Sequence, residues 1–133
     1  MWVFNKLKTL KLNTSNKISI LGLSYKENTS SIKNSPAINL IKKIKNFENI
    51  VGYDPKADLL KFKQNNFLRS FTLDEALQNS EVLIIMTKWE EFKKISIKTL
   101  NNKMTGKIII DPYGFLEKLN FSSYGYLYYK IGN

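Results

Sequence analysis

Four short apolar runs, KISILG (17–22), NIVGYD (49–54), EVLIIMT (81–87) and GKIIID (106–111), are separated by polar stretches of helical periodicity. Strands of this kind, apolar along their whole length, are buried on both faces, and the intervening helices supply the cover. Alternation at this spacing gives βαβ units and a mostly parallel sheet. Two further strands are expected, FLRSF (67–71) and a Tyr-rich edge strand GYLYYKIG (125–132). The helices predicted between them are SPAINLIKKIKN (35–46), a short one over PKADLLKFKQN (55–65) with Pro55 at its start, and TLDEALQNS (72–80). Further helical turns are expected in KWEEFKKI and SIKTLNNKM. Ser35 and Pro36 suit the cap and first position of the second-strand crossover helix, and Thr72 with Glu75 has the capping-box spacing.

The fold class is therefore α/β, a Rossmann-like, mostly parallel sheet with helices on both faces. A length of 133 residues suits a single core. Residues 1–16 form an N-terminal helix or arm on which Trp2, Val3, Phe4, Leu7 and Leu10 share a face, and residues 17–133 form the domain. Trp2 needs cover from this domain or from another chain.

Right-handed crossovers place every strand-to-helix loop at the carboxyl edge of the sheet, where open α/β sheets bind ligands. Those loops are Gly22–Asn34, Asp54–Lys56, Thr87–Glu90 and Asp111–Phe115, with Asp111 expected to face the cleft. The first carries Lys26 and Lys33 and runs into the helix start at Ser35, a combination suited to a diphosphate. It also reads as an ordinary polar connection ending in a capped helix. Gly22 is followed by Leu23, Ser24 and Tyr25, so the second and third glycines of the dinucleotide fingerprint are missing. Asp54 stands where a ribose-binding acid would, and equally where an Asp-Pro turn caps the next segment. Trp89 and Phe92 read as core packing ahead of a base-stacking platform.

Cysteine and histidine are both absent, which removes thiolate nucleophiles, disulfides, the commonest neutral-pH base and the usual zinc ligands. No catalytic residue and no metal site is expected. The net charge of +10 favours anionic partners, and Arg69 is the only arginine. The lysines are scattered, and no recognition helix or aromatic-basic stripe accompanies them, so a module binding nucleic acid or a protein partner stands as the alternative. No apolar stretch reaches the roughly 20 residues of a membrane span. MWVFNKLKTLKL lacks a leader's continuous apolar region, so a cytoplasmic location is the expectation.

KISILGLSYKENTSSIKNSPAINLI resembles the start of the C-terminal, UDP-binding domain of the UDP-glucose/GDP-mannose dehydrogenase family. That family shows Gly-Leu-Ala-Phe-Lys after a strand, then Asn/Asp-Thr-x-Asp-x-Arg-x-Ser-Pro-Ala. Gly22, Leu23, Tyr25, Lys26, Asn28, Thr29, Ser35, Pro36 and Ala37 fit it. VGYDPKA (51–57) is similar to the family's second strand and Asp-Pro turn, and TLDEALQNSEVLIIMTKWEEFKKI to its ALxxADxxVxxTEWxEF segment. IIIDPYGFLE sits where the family has Asp-Gly-Arg, and GYLYYKIG matches its final strand, so the likeness runs over about residues 17–132.

The resemblance implies a UDP-sugar-binding domain of a nucleotide-sugar 6-dehydrogenase. Such an enzyme oxidises the sugar C6 alcohol to a uronate with NAD and a catalytic cysteine, both supplied outside this domain. Tyr25, Lys26, Lys33, Ser35 and Tyr113 would be the substrate-binding residues. Residues 1–16 would be the tail of the family's central helix, leaving Trp2 and Phe4 to cover a partner surface. The chain alone would be inactive. It would be completed by a separate NAD-binding chain or work within a homodimer, with no membrane partner and a role in polysaccharide biosynthesis. Two family arginines are replaced, by Lys33 and by Tyr113 at or near the other place, and an acid by Ser31; a point charge cannot grip phosphate bidentately.

Overall fold

A computed structural model describes residues 1–132. Six strands form one sheet: β1 (Lys17–Leu21), β2 (Asn49–Tyr53), β3 (Phe67–Arg69), β4 (Val82–Ile85), β5 (Ile108–Ile110) and β6 (Leu127–Tyr129). Every pair is parallel and the spatial order is β3-β2-β1-β4-β5-β6. This is the doubly wound order, with the direction of winding reversing between β1 and β4.

Side-chain alternation along the strands builds two cores. Ile18, Ile20, Ile50, Val82, Ile84 and Ile110 point to one face, under α1 (Trp2–Thr9) and α2 (Pro36–Lys43). Leu21, Val51, Tyr53, Leu83, Ile85 and Ile109 point to the other, under α3 (Leu73–Leu77), a 3₁₀ turn at Glu90–Lys94 and α4 (Ile97–Lys103). Each crossover helix starts on a hydroxyl cap. Ser35, Thr72 and Ser96 side chains accept from the amides of Ile38, Glu75 and Thr99, satisfying a first-turn donor in each case.

Two expectations need correction. No helix forms over 55–65, although Pro55 and the spacing of Leu59 and Phe62 favour one. The backbone there is claimed by partners outside the segment or by short-range turns. Asp54 Oδ1 accepts from the amides of Lys56 and Ala57, both at 2.8 Å. Asp58 N donates to Ser30 O at 2.9 Å, which ties this segment to the β1 loop. The Asp54 contacts have the form of an N-cap, but the Asp58 amide, the first that would enter an i→i−4 ladder, goes to Ser30 instead, so the helix does not propagate.

The second correction concerns α1. Its Val3 and Leu7 are buried in the domain's own core, and Trp2 and Phe4 are partly buried against it. Lys8 and Lys43 ammonium groups lie 4.9 and 5.6 Å from the Phe4 ring centroid, and Lys6 lies 4.6 Å from that of Tyr129. The aromatic residues of the arm are thus sheltered by this domain, through apolar packing and cation–π contacts.

Candidate functional site

The β1 loop is shaped by one buried carboxylate. Asp54, at the end of β2 and 1% exposed, accepts on Oδ2 from Leu23 N (2.7 Å), Ser24 N (2.9 Å) and Trp89 Nε1 (3.1 Å). The Ser24 hydroxyl lies 3.0 Å from the same oxygen and 2.9 Å from Lys26 O, so its single proton is shared between them. With Lys56 N and Ala57 N on Oδ1, the carboxylate ties together the loops that follow β1, β2 and β4. A buried carboxylate is tolerated only when its lone pairs are met in this way. Trp89 is 6% exposed and packs with Phe92 in the core, as expected, while its indole nitrogen fixes Asp54. Replacing Trp89 with Phe keeps most of the apolar area and deletes one charge-assisted hydrogen bond. A stability loss of about 2 kcal/mol is expected, measured as a lower urea midpoint with an unchanged slope.

This geometry answers whether the domain's own loop fits a dinucleotide. Asp54 is enclosed and engaged by main-chain and indole donors, so it is not open to a ribose. Beyond Gly22 the second and third glycine places of the fingerprint are taken by Ser24 and Glu27. The residues present do not fit NAD.

At the rim itself, Tyr25 is 51% exposed and Lys26 is exposed, in a loop closed by Tyr25 N donating to Ser31 O at 2.6 Å. Asn28 and Asn34 take left-handed conformations, φ 63° and 61°, which asparagine accommodates better than most residues. Ser35 is 1% exposed; its hydroxyl donates to Leu23 O at 2.8 Å and accepts from Ile38 N at 3.2 Å. Asn39 N goes to Ser35 O, and Pro36 has no N–H. The start of α2 therefore keeps only the amide of Ala37, a fully buried residue, for a ligand.

Lys33 lines a cleft of about 340 Å³ with Ser30, Ser31, Ile32, Asp58, Leu60 and Lys61, a lining that does not include Tyr25, Lys26 or Ser35. Tyr113, 64% exposed, stands on the loop after β5, with the Lys88 ammonium 5.8 Å from its ring centroid. Of the five sequence-predicted residues, Tyr25 and Lys26 share the rim next to the β1–β4 reversal. Ser35 braces the loop from inside, Lys33 turns to the β2 side, and Tyr113 belongs to the β5 side.

Asp111 does not face the cleft. It is 1% exposed, and its carboxylate accepts from Phe115 N, Leu116 N and the Tyr128 hydroxyl at 3.0, 2.8 and 2.7 Å. Burial and the hydrogen bond to Asp111 push the Tyr128 phenol well above its ordinary range. Burial, then the 2.6 Å bond to Glu91, do the same for Tyr53. Both phenols are neutral donors that hold the rim, and among the described residues no group of three or more carboxylates is arranged to hold a metal ion.

Sequence reasoning missed Lys88 and the Thr87 hydroxyl, which lies at the β1–β4 junction, buried and without a hydrogen-bond partner. It also gave Trp89 no polar role. The signal available was chemical: a buried indole N–H requires an acceptor, and Asp54 is one of the acids at the same sheet edge.

Comparison with known proteins identifies the family of the chain. The model of the UDP-glucose/GDP-mannose dehydrogenase family, UDP binding domain, matches residues 19–118. The chain is 32% identical over 121 residues to the UDP-glucose 6-dehydrogenase of Rickettsia prowazekii, which covers 87% of this chain and 28% of that protein. It is 28% identical over 138 residues to the UDP-N-acetyl-D-mannosamine dehydrogenase of Methanocaldococcus jannaschii, covering 100% of this chain and 31% of the relative. The solved UDP-D-ManNAc dehydrogenase from Pyrococcus horikoshii superposes with a TM-score of 0.74 at 25% identity, over 98% of this chain and 29% of that one. The chain spans under a third of the length of these relatives. The chain belongs to the UDP-glucose/GDP-mannose dehydrogenase family and corresponds to its UDP binding domain.

Proposed function

We propose that this domain binds a UDP-sugar at the carboxyl rim of β1 and β4, as the nucleotide-sugar-binding part of an NAD-dependent 6-dehydrogenase. The observation that carries the reading is the β1 loop itself. Asp54 fixes Leu23 and Ser24 from below, so Tyr25 and Lys26 stand exposed where the winding reverses. Ligands of doubly wound sheets bind at that crevice. Lys26 supplies a point charge to the diphosphate and Tyr25 an aromatic face. Ser35 keeps the loop in place, Tyr113 borders the site from β5, and Lys33 adds positive charge from the β2 side.

The whole reaction, oxidation of the sugar C6 alcohol to a uronate, needs groups this chain does not carry. Without cysteine it offers no thiol for a covalent intermediate, and its β1 loop does not fit NAD. The reading calls for an NAD-binding domain outside these residues, on the same polypeptide or on a separate chain, working in the cytoplasm in polysaccharide biosynthesis, with a homodimer as a further assembly. This domain contributes binding and orientation of the nucleotide, not proton or hydride chemistry.

Millimolar UDP is expected to raise the melting temperature of the chain, because a ligand that binds only the folded state stabilises it by mass action. Lys26→Ala should weaken UDP about tenfold, the effect of losing one charge-assisted contact, with the ligand-free melting temperature unchanged. A melting curve indifferent to UDP and UDP-sugars contradicts the reading.

A further inference from the structure

We propose that Lys88, at the carboxyl end of β4, is a second cationic anchor for the diphosphate, opposite Lys26 across the β1–β4 reversal; this rests on the UDP reading of that rim. The sheet brings the two loops into contact. Met86 N donates to Leu21 O at 2.8 Å, and Thr87 packs so closely on Gly22 that a Cβ there would lie 1.9 Å from its Oγ1. Lys88 is the next residue and is exposed at that carboxyl end of β4.

Its ammonium group is unoccupied by acids. Lys93, Lys103 and Lys130 each pair with a carboxylate, and Lys17 is held by the carbonyls of Glu75 and Gln78. Lys88 has no carboxylate within 4.0 Å among the described residues, and its one recorded contact is the Tyr113 ring. A cation held over an aromatic face keeps its N–H donors available and loses less freedom when an anion arrives. Lys88 is thus a poised charge, and Tyr113 its support.

The residue before Lys88 closes the junction. Thr87 is 5% exposed, and its hydroxyl is buried without a hydrogen-bond partner among the described residues. Buried hydroxyls are rarely left unpaired in the absence of a ligand or water. That hydroxyl is enclosed against Gly22 inside the junction, so of the two successive residues only Lys88 presents a polar group to solvent at this strand end.

An ammonium group anchors charge, not the base, so the test compares UDP with uridine. Calorimetry and NMR titration of the full chain are expected to show Lys88→Gln weakening UDP about tenfold while uridine changes less than about twofold. Lys88→Arg should keep UDP within about threefold of the wild type, since the positive charge is retained. Equal losses for UDP and uridine overturn the assignment, because they indicate a merely structural role. UDP binding by Lys88→Gln within twofold of the wild type also overturns it and leaves the UDP reading standing. A wild-type chain that does not bind UDP overturns both.

Discussion

Gly22→Ala is expected to cost about 4 kcal/mol, a large part of the roughly 5–15 kcal/mol that holds a domain of this size together. Two effects combine. Gly22 sits at φ +93°, a conformation that L side chains rarely adopt. An added Cβ would also lie 1.9 Å from Thr87 Oγ1 and 2.6 Å from Thr87 N. The hydroxyl can rotate away, but the amide belongs to the backbone at the end of β4 and moves only with the strand. Urea unfolding followed by circular dichroism measures the loss. Adding Thr87→Ala should recover only the side-chain part of it, and the shortfall from additivity reports the contact. A cost below 1 kcal/mol would show that β1 and β4 are not closely joined at the rim.

Asp54→Ala is expected to destabilise by about 3–5 kcal/mol. It leaves the amides of Leu23, Ser24, Lys56 and Ala57 and the Trp89 indole without their acceptor in a closed space. Asp54→Asn preserves the shape but turns one acceptor oxygen into a donor facing donors, so it should cost about 2 kcal/mol or more. The alternative role of Asp54, a ribose-binding acid, predicts the opposite pattern: unchanged stability and altered ligand affinity. Denaturant midpoints of the two variants separate these outcomes without any ligand.

Most of the sheet was legible because its signals are local. KISILG and EVLIIMT are too apolar to be half-exposed, and Ser35-Pro36 starts α2 by side-chain chemistry alone. The segment 55–65 was not legible, since its helical pattern and its Asp54 cap are real but Ser30 takes the Asp58 amide that would begin the ladder. Those partners are fixed by tertiary structure, which propensity does not see. The site shows the same division. Lys26 and Tyr25 follow from strand position, whereas the Asp54–Trp89 bond joins residues 35 apart. Ser35 looked like an open anion-binding helix end, yet its own hydroxyl and carbonyl take up the first-turn amides of Ile38 and Asn39. Lys33 lies in the same loop as Lys26 but lines a different cleft, with Asp58 and Lys61 from the segment after β2. The arm's Trp2 calls for cover from this domain or from another chain, and the family resemblance implies a partner surface for Trp2 and Phe4. Lysine stems and ammonium groups from α1 and α2 cover Phe4 instead.

The central claim is that the β1–β4 rim is where a uridine diphosphate sits. A two-dimensional ¹H–¹⁵N NMR titration of the chain with UDP tests it most directly. The account predicts saturable shifts concentrated on the amides of Leu23 to Ser31, with Thr87, Lys88 and Tyr113, and little change on α4 or β6. Saturable shifts centred instead on the α1–α2 face, or none with UDP at millimolar concentration, would contradict it.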